Sequence, residues 1–139
     1  MSTPSPERLR TLQLQERTFA FMCGVLRACP RSIPDAASRA LWSQLVRAAM
    51  GSSGNLEEVD EASSSADFIH KMKIALRETK EAWRWLRALR TCALDGHDRV
   101  AGFEQEAREL SAIFATIVIK VQQRVEREKA DKLSRARTF

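Results

Sequence analysis

The chain has 139 residues, of which 44% are apolar and 29% charged, with a formal net charge of +5. That length suits one domain with its own core and is too short for two, and these proportions exclude a disordered chain. Tyrosine is absent and only 5 glycines and 4 prolines interrupt the sequence, so helices are favoured over sheet.

The first periodic segment covers about residues 6–29, where Leu12, Phe19, Met22, Leu26 and Cys29 recur at helical spacing with Val25 widening the stripe. Ser5 is the expected N-cap, with Pro6 at the first helical position, and Pro30 and Pro34 break the helix. A second helix, about 34–60, carries Leu41, Trp42, Leu45, Val46 and Ala49 and then meets the small residues of Ala48 to Asn55. A loop is one reading of that run. The preferred one is a continued helix packed so closely that only small side chains fit, because periodicity resumes at Leu56 and Val59. The third helix, about 66–93 and capped by Ser64 or Ser65, places Ile69, Met72, Leu76, Thr79, Trp83 and Leu86 at 3, 4, 3, 4, 3 spacing. Leu94-Asp95-Gly96 is expected to end it through a left-handed glycine cap. The fourth helix, about 98–126, reads Val100, Phe103, Ala107, Leu110, Phe114, Ile117 and Val121 in heptad spacing, and residues 127–139 form a basic tail expected to fray. Four amphipathic helices with short connections predict an all-α, antiparallel up-and-down four-helix bundle in a single domain.

Nothing in the sequence is apolar for long enough to span a bilayer, and the polar residues before Glu7 offer no apolar signal-peptide core. Cys23, Cys29 and Cys92, odd in number and set in helical patterns, are expected to be buried reduced thiols. The expected location is the cytoplasm. Charge alternates in blocks: five acids and no base from Glu57 to Asp67, then seven bases against two acids from Lys71 to Arg90. Five acids face two bases from Asp95 to Glu109, and seven bases face three acids from Lys120 to Arg137. Such blocks predict polarised surfaces.

Within the basic block Lys73, Arg77, Lys80, Arg84 and Arg87 are spaced 4, 3, 4, 3 and fall within about a quarter of the helix circumference. A line of cations tracks a phosphate backbone and gains affinity by counterion release, without base specificity; a merely solvated face is the other reading. Ile74 and Trp85 lie near the side opposite the core stripe, which suggests a subunit interface. A base-stacking platform beside Arg84, or lateral cover by a neighbouring helix, are the other readings of Trp85. The acidic run Glu57, Glu58, Asp60, Glu61 reads as a solvated helix end or as a surface meeting a neighbour's basic patch.

Catalytic and metal chemistry find little footing. Asp67-Phe68-Ile69-His70 is the one carboxylate-x-x-His sequence, both side chains point away from the core stripe, and His97 stands alone. Cys23 and Cys29 lack zinc-finger spacing, and no nucleophile elbow, P-loop or His-Glu-x-x-His is present. No cofactor, metal or enzyme activity is expected.

Three stretches carry a family resemblance: RTFAFMCGVLRACPRSIPDAA from Arg17, QLVRAAMGSSGN from Gln44 to Asn55, and ADFIHKMKIALRETKEAWRWL from Ala66 to Leu86. With the gaps between them they resemble the bacterial four-helix-bundle family of 23S rRNA intervening-sequence proteins, whose relatives include the accessory protein of diversity-generating retroelements. The resemblance runs from about Arg17 to Gln123. It implies a homopentameric ring of bundles around a channel, no enzymatic activity, and, from the retroelement relatives, binding to nucleic acid and to a reverse transcriptase. Two departures stand out. Glu57, Glu61 and Ser65 occupy places where many members carry bases, and the glycines of the small-residue run shift to Gly51 and Gly54. The first weakens a nucleic-acid role for that end of the molecule. The sequence therefore supports two readings: a pentameric accessory protein binding RNA or an RNA–DNA hybrid, or a scaffold whose ring engages another protein.

Overall fold

In the computed structural model, which describes residues 3–138, the Ser5 hydroxyl accepts the Arg8 amide hydrogen and Pro6 opens α1 (Pro6–Ala28). Asp35 accepts from both the amide and the hydroxyl of Ser38 to start α2 (Ala36–Glu58), which ends in a short 3-10 turn, Val59–Glu61. Ser64 accepts from the Asp67 amide while the Asp67 carboxylate accepts from the Ser63 amide, a reciprocal cap on α3 (Ser65–Thr91). A second 3-10 turn, His97–Arg99, leads to α4 (Phe103–Arg137).

Three long-range contacts fix neighbouring helices antiparallel. The Ser52 and Thr79 hydroxyls meet at 2.6 Å between α2 and α3, and the Trp42 indole donates to the Asp95 carbonyl at 2.7 Å. Arg90 grips Glu104 with two hydrogen bonds across the turn from α3 to α4. The core runs the length of the bundle: Phe21 and Val25 from α1, Trp42 and Leu45 from α2, Met72 and Leu86 from α3, Leu110 and Phe114 from α4. α2 on α3 and α3 on α4 are the close seams, whereas α1 and α4 diverge around an apolar groove of about 750 Å³ that Leu14, Phe68, Met72, Ile113 and Ile117 help line. No helix among the described residues is long and apolar enough to cross a membrane.

The small-residue run is helical, as expected, with Ala48, Ala49, Ser52 and Ser53 all buried. A β-carbon on Gly51 would sit 3.0 Å from the Glu78 side chain of α3, but one on Gly54 would meet nothing within 4 Å, so close packing explains the first glycine alone.

Several expectations give way. On α1 the buried line is Thr18, Phe21, Val25 and Ala28, while Leu12, Phe19 and Leu26 are exposed at 38%, 42% and 38%. The helix carries two lines at heptad spacing, roughly 140° apart at 100° per residue, so spacing alone does not say which one faces inward. Helix α3 stops at Thr91, and its left-handed closing residue is Ala93 (φ 49), not Gly96. The Leu94 amide reaches back to Leu89 and that of Ala93 to Arg90, which satisfies the last carbonyls before any glycine arrives. Gly96 (φ 86) instead opens the 3-10 turn, against Pro30 and Trp42. Residues 98–102 precede α4, because left-handed Gly102 sets the start of that helix. The basic tail is helical: α4 continues to Arg137, with residues 126–138 all exposed. Extending a helix that already exists costs little, and an Arg124–Glu128 pair at 3.7 Å supports it. Cys23 and Cys29 are only half-buried and Cys92 is exposed, because the last sits at the open C-terminal end of α3. Burial raises the Cys29 thiol above its ordinary range.

Candidate nucleic-acid interface

The α3 stripe begins from packing. Met72, Ala75, Thr79, Ala82, Leu86 and Leu89 are buried, so the positions between them on the far side of the helix must face water. Lys73, Arg77, Lys80, Arg84 and Arg87 are all exposed. Their line extends about 21 Å along the helix axis at 1.5 Å per residue. Arg77 stands 3.8 Å from Glu78, while the other four make no ion pair among the described residues. Glu78 turns away under α2 against Gly51, and burial raises its carboxyl above the usual range, followed by the Glu81 charge and opposed by Arg77. The acids of this segment therefore lie beside the stripe and leave its line of cations intact.

The two indoles of α3 take different sides. Trp85 and Ile74 are half-buried, and Trp85 packs on the core margin two turns beyond Glu78, on the side that meets α2. Having two flanking helices widens the buried arc of α3, which brings Trp85 partly under cover. Its indole Nε1 is buried without an acceptor among the described residues. Trp83 is on the opposite flank, toward α4. There it lines an open cleft of about 460 Å³ with Arg87, Gly102, Glu104, Gln105 and Arg108. Arg108 is a functional candidate that sequence reading missed, because it lies in an acidic block of another helix and only folding sets it beside Arg87.

Part of the charge elsewhere is paired across helices, while Arg27, Arg31, Arg39 and Arg47 of α1, its exit and α2 are exposed and make no ion pair among the described residues. Asp60 accepts from Arg8 at 2.8 Å and from Gln15 at 3.0 Å, and the Arg8 contact above all holds its carboxyl below the usual range. Arg17 binds Glu106 and Glu109, tying α1 to α4. Asp67 is held low by Lys71 at 2.8 Å and by the Ser63 amide, while His70 is exposed. Glu57, Glu58 and Glu61 remain exposed at the end of α2, at the same end as the α3 N-terminus. A second surface feature is apolar: Leu9, Leu12, Phe19 and Leu26 along α1, all exposed.

A family model described as 23S rRNA-intervening sequence protein matches residues 10–116. The chain is also similar to a crystal structure from Bacteroides thetaiotaomicron, a protein of unknown function from the S23 ribosomal protein family. Identity is 20%, the TM-score is 0.61, and the match covers 78% of this chain and 96% of the other. That likeness concerns the fold. No curated protein matches the chain.

Proposed function

The chain belongs to the family of 23S rRNA-intervening sequence proteins, and from that premise we propose that it is a non-catalytic, homo-oligomeric accessory protein that binds nucleic acid along the outer face of α3. The observation that carries this reading is the stripe itself: five exposed cations in one line, four of them without an ionic partner among the described residues. Lys73, Arg77, Lys80, Arg84 and Arg87 contact phosphates, with RNA or an RNA–DNA hybrid as ligand. Each neutralised phosphate contributes roughly 0.7–0.9 to the slope of log affinity against log salt. Sequence preference is weak, since the face reads charge and shape. A salt titration with labelled RNA tests this. Replacing Arg77 and Arg84 together by Glu abolishes binding with helicity unchanged; equal binding by the double variant would overturn the reading.

Self-association, with the pentamer that the resemblance implies, is the second part of the proposal. Leu9, Leu12, Phe19 and Leu26 support it most strongly, because an isolated bundle leaves them wet. Ile74 and Trp85 are half-buried and fit the margin of a subunit contact. Phe19→Glu is expected to lower the mass seen by light scattering to one chain. A reverse transcriptase partner is proposed on the retroelement resemblance alone. The scaffold reading draws on the same α1 face: it becomes the better one if the chain assembles and binds no nucleic acid.

A further inference from the structure

We propose that the cleft between α3 and α4 is a subsite for one unpaired nucleobase, so that the ligand of the stripe is single-stranded; this rests on the nucleic-acid reading above. Arg87 belongs to both features. It is the last cation of the α3 stripe and a wall of the cleft that Trp83 and Arg108 also line. A strand whose phosphates follow the stripe therefore arrives at an indole flanked by two guanidiniums, one from each helix.

The chemistry of the walls suits a base more than a second phosphate run. Indole and guanidinium planes are the side chains on which unpaired bases stack, and stacking tolerates any base because each has a π-face. Trp83 is half-buried, so its ring is held by the bundle while one part stays open to the cleft. The single carboxylate there, Glu104, is engaged by Arg90 at 2.7 and 3.1 Å; the Arg87 charge also acts on it, but neither Arg87 nor Arg108 makes an ion pair with it. Arg108 is exposed and makes no ion pair among the described residues. Gly102 contributes no side chain, and a β-carbon there would meet nothing within 4 Å, so that wall is open for a ring to approach. Gln105 adds an amide that both donates and accepts, matching the edge of any base. A duplex keeps its bases stacked and paired and offers the cleft nothing but backbone.

Two probes test the subsite: a fluorescein-labelled twelve-nucleotide oligo(U) and a twelve-base-pair RNA duplex, titrated by anisotropy at one salt concentration. Trp83→Leu is expected to weaken the single strand about tenfold, the lower range of one lost stack, and to leave the duplex unchanged. Arg108→Gln, a surface change with no packing to lose, is expected to weaken the single strand selectively as well. Trp83→Phe keeps a stacking ring and holds affinity close to the parent. Unlabelled oligo(U) quenches indole emission in the parent, and that quench shrinks in Trp83→Phe. If Trp83→Leu and Arg108→Gln weaken both probes alike, or neither, while Arg77→Glu with Arg84→Glu abolishes binding, the stripe stands and the base subsite is wrong. If the parent binds neither probe, the nucleic-acid reading fails and the subsite with it.

Discussion

Ala93 shows what a single backbone angle costs. It occupies the left-handed position that closes α3, where an L side chain is strained by roughly 1–2 kcal/mol. The hydrogen bonds from Leu94 and Ala93 back to Leu89 and Arg90 hold it there, and half-buried Leu94 packs on the core. Ala93→Gly is expected to raise stability by about 0.5–1 kcal/mol, because relief of the strain outweighs the greater freedom of glycine in the unfolded chain. Chemical denaturation measures it, and a loss of stability would refute this account of the cap. Asp60 works through charge. Its folded carboxyl is held below the ordinary carboxylate range, first by the Arg8 contact and then by Gln15, against the opposing effect of burial. A lowered folded value means stability that is present above the unfolded value and lost as pH falls through the folded one. Asp60→Asn should therefore lower the thermal midpoint at pH 7, and the gap from the parent should close as the pH falls through the lowered folded value, where Asp60 itself becomes neutral.

At the scale of elements, α2 depends on the close approach of its small residues to α3. Ser52 and Thr79 share a buried hydrogen bond, and Thr79 also donates to the Ala75 carbonyl, so a polar pair is tolerated where two helices nearly touch. Gly51→Leu must displace Glu78 and is expected to cost about 1–3 kcal/mol. Gly54→Ala is expected to stabilise the helix, since no atom lies within 4 Å of the new methyl group. Comparing the two denaturation midpoints separates packing from propensity. The same elements show what the sequence reveals. The Ser5 cap was readable because Pro6 fixes the first helical position, whereas the serine run narrowed the α3 cap only to Ser64 or Ser65, and the structure takes Ser64. The core of α3 and α4 was readable in part: Met72, Thr79, Leu86, Ala107, Leu110 and Phe114 are buried as expected, but Ile69, Leu76 and Trp83 are half-buried while Ala75, Ala82 and Leu89 lie inside, because α2 and α4 cover α3 from two sides. α1 was not: with two apolar lines, periodicity cannot choose which faces inward, and the neighbours decide. The end of α3 was misjudged because glycine is the usual left-handed residue and Gly96 stands three positions away from the one that takes the strain. The stripe was legible as spacing on one helix, whereas the Trp83–Arg108 cleft was not, since its members come from two helices.

For the whole molecule the arrangement of faces matters more than the sum of charges. The cations of α3 lean toward α4, as the sharing of Arg87 with the α4 cleft shows. Helix α1 carries Leu9, Leu12, Phe19 and Leu26 on its outer line, and the acids at the end of α2 adjoin α1 through Asp60, which binds Arg8 and Gln15. A molecule so divided has separate surfaces for self-contact and for a polyanion. If the α1 face holds the assembly together, Phe19→Glu should reduce the mass without altering helicity, and affinity for RNA should fall only as far as multivalency is lost. A parallel loss of helicity would instead place Phe19 in the fold of the single chain.

The length of α4 has a kinetic consequence. At 35 residues it measures about 52 Å, and its final turns have no neighbour on any side. One unbroken helix thus passes from amides shielded by Leu110 and Phe114 to amides shielded by nothing but their own hydrogen bonds. Opening costs follow that gradient, close to global unfolding at one end and near zero at the other. The exposed turns also carry Arg127, Lys129, Lys132, Arg135 and Arg137, each a point of attack for trypsin. Dilute trypsin should shorten the chain stepwise from its C-terminus and stall near Arg124, leaving a bundle with an unchanged thermal midpoint. Mass spectra over a time course would show a ladder, while disappearance of the intact chain without intermediates would mean the helix opens as one unit.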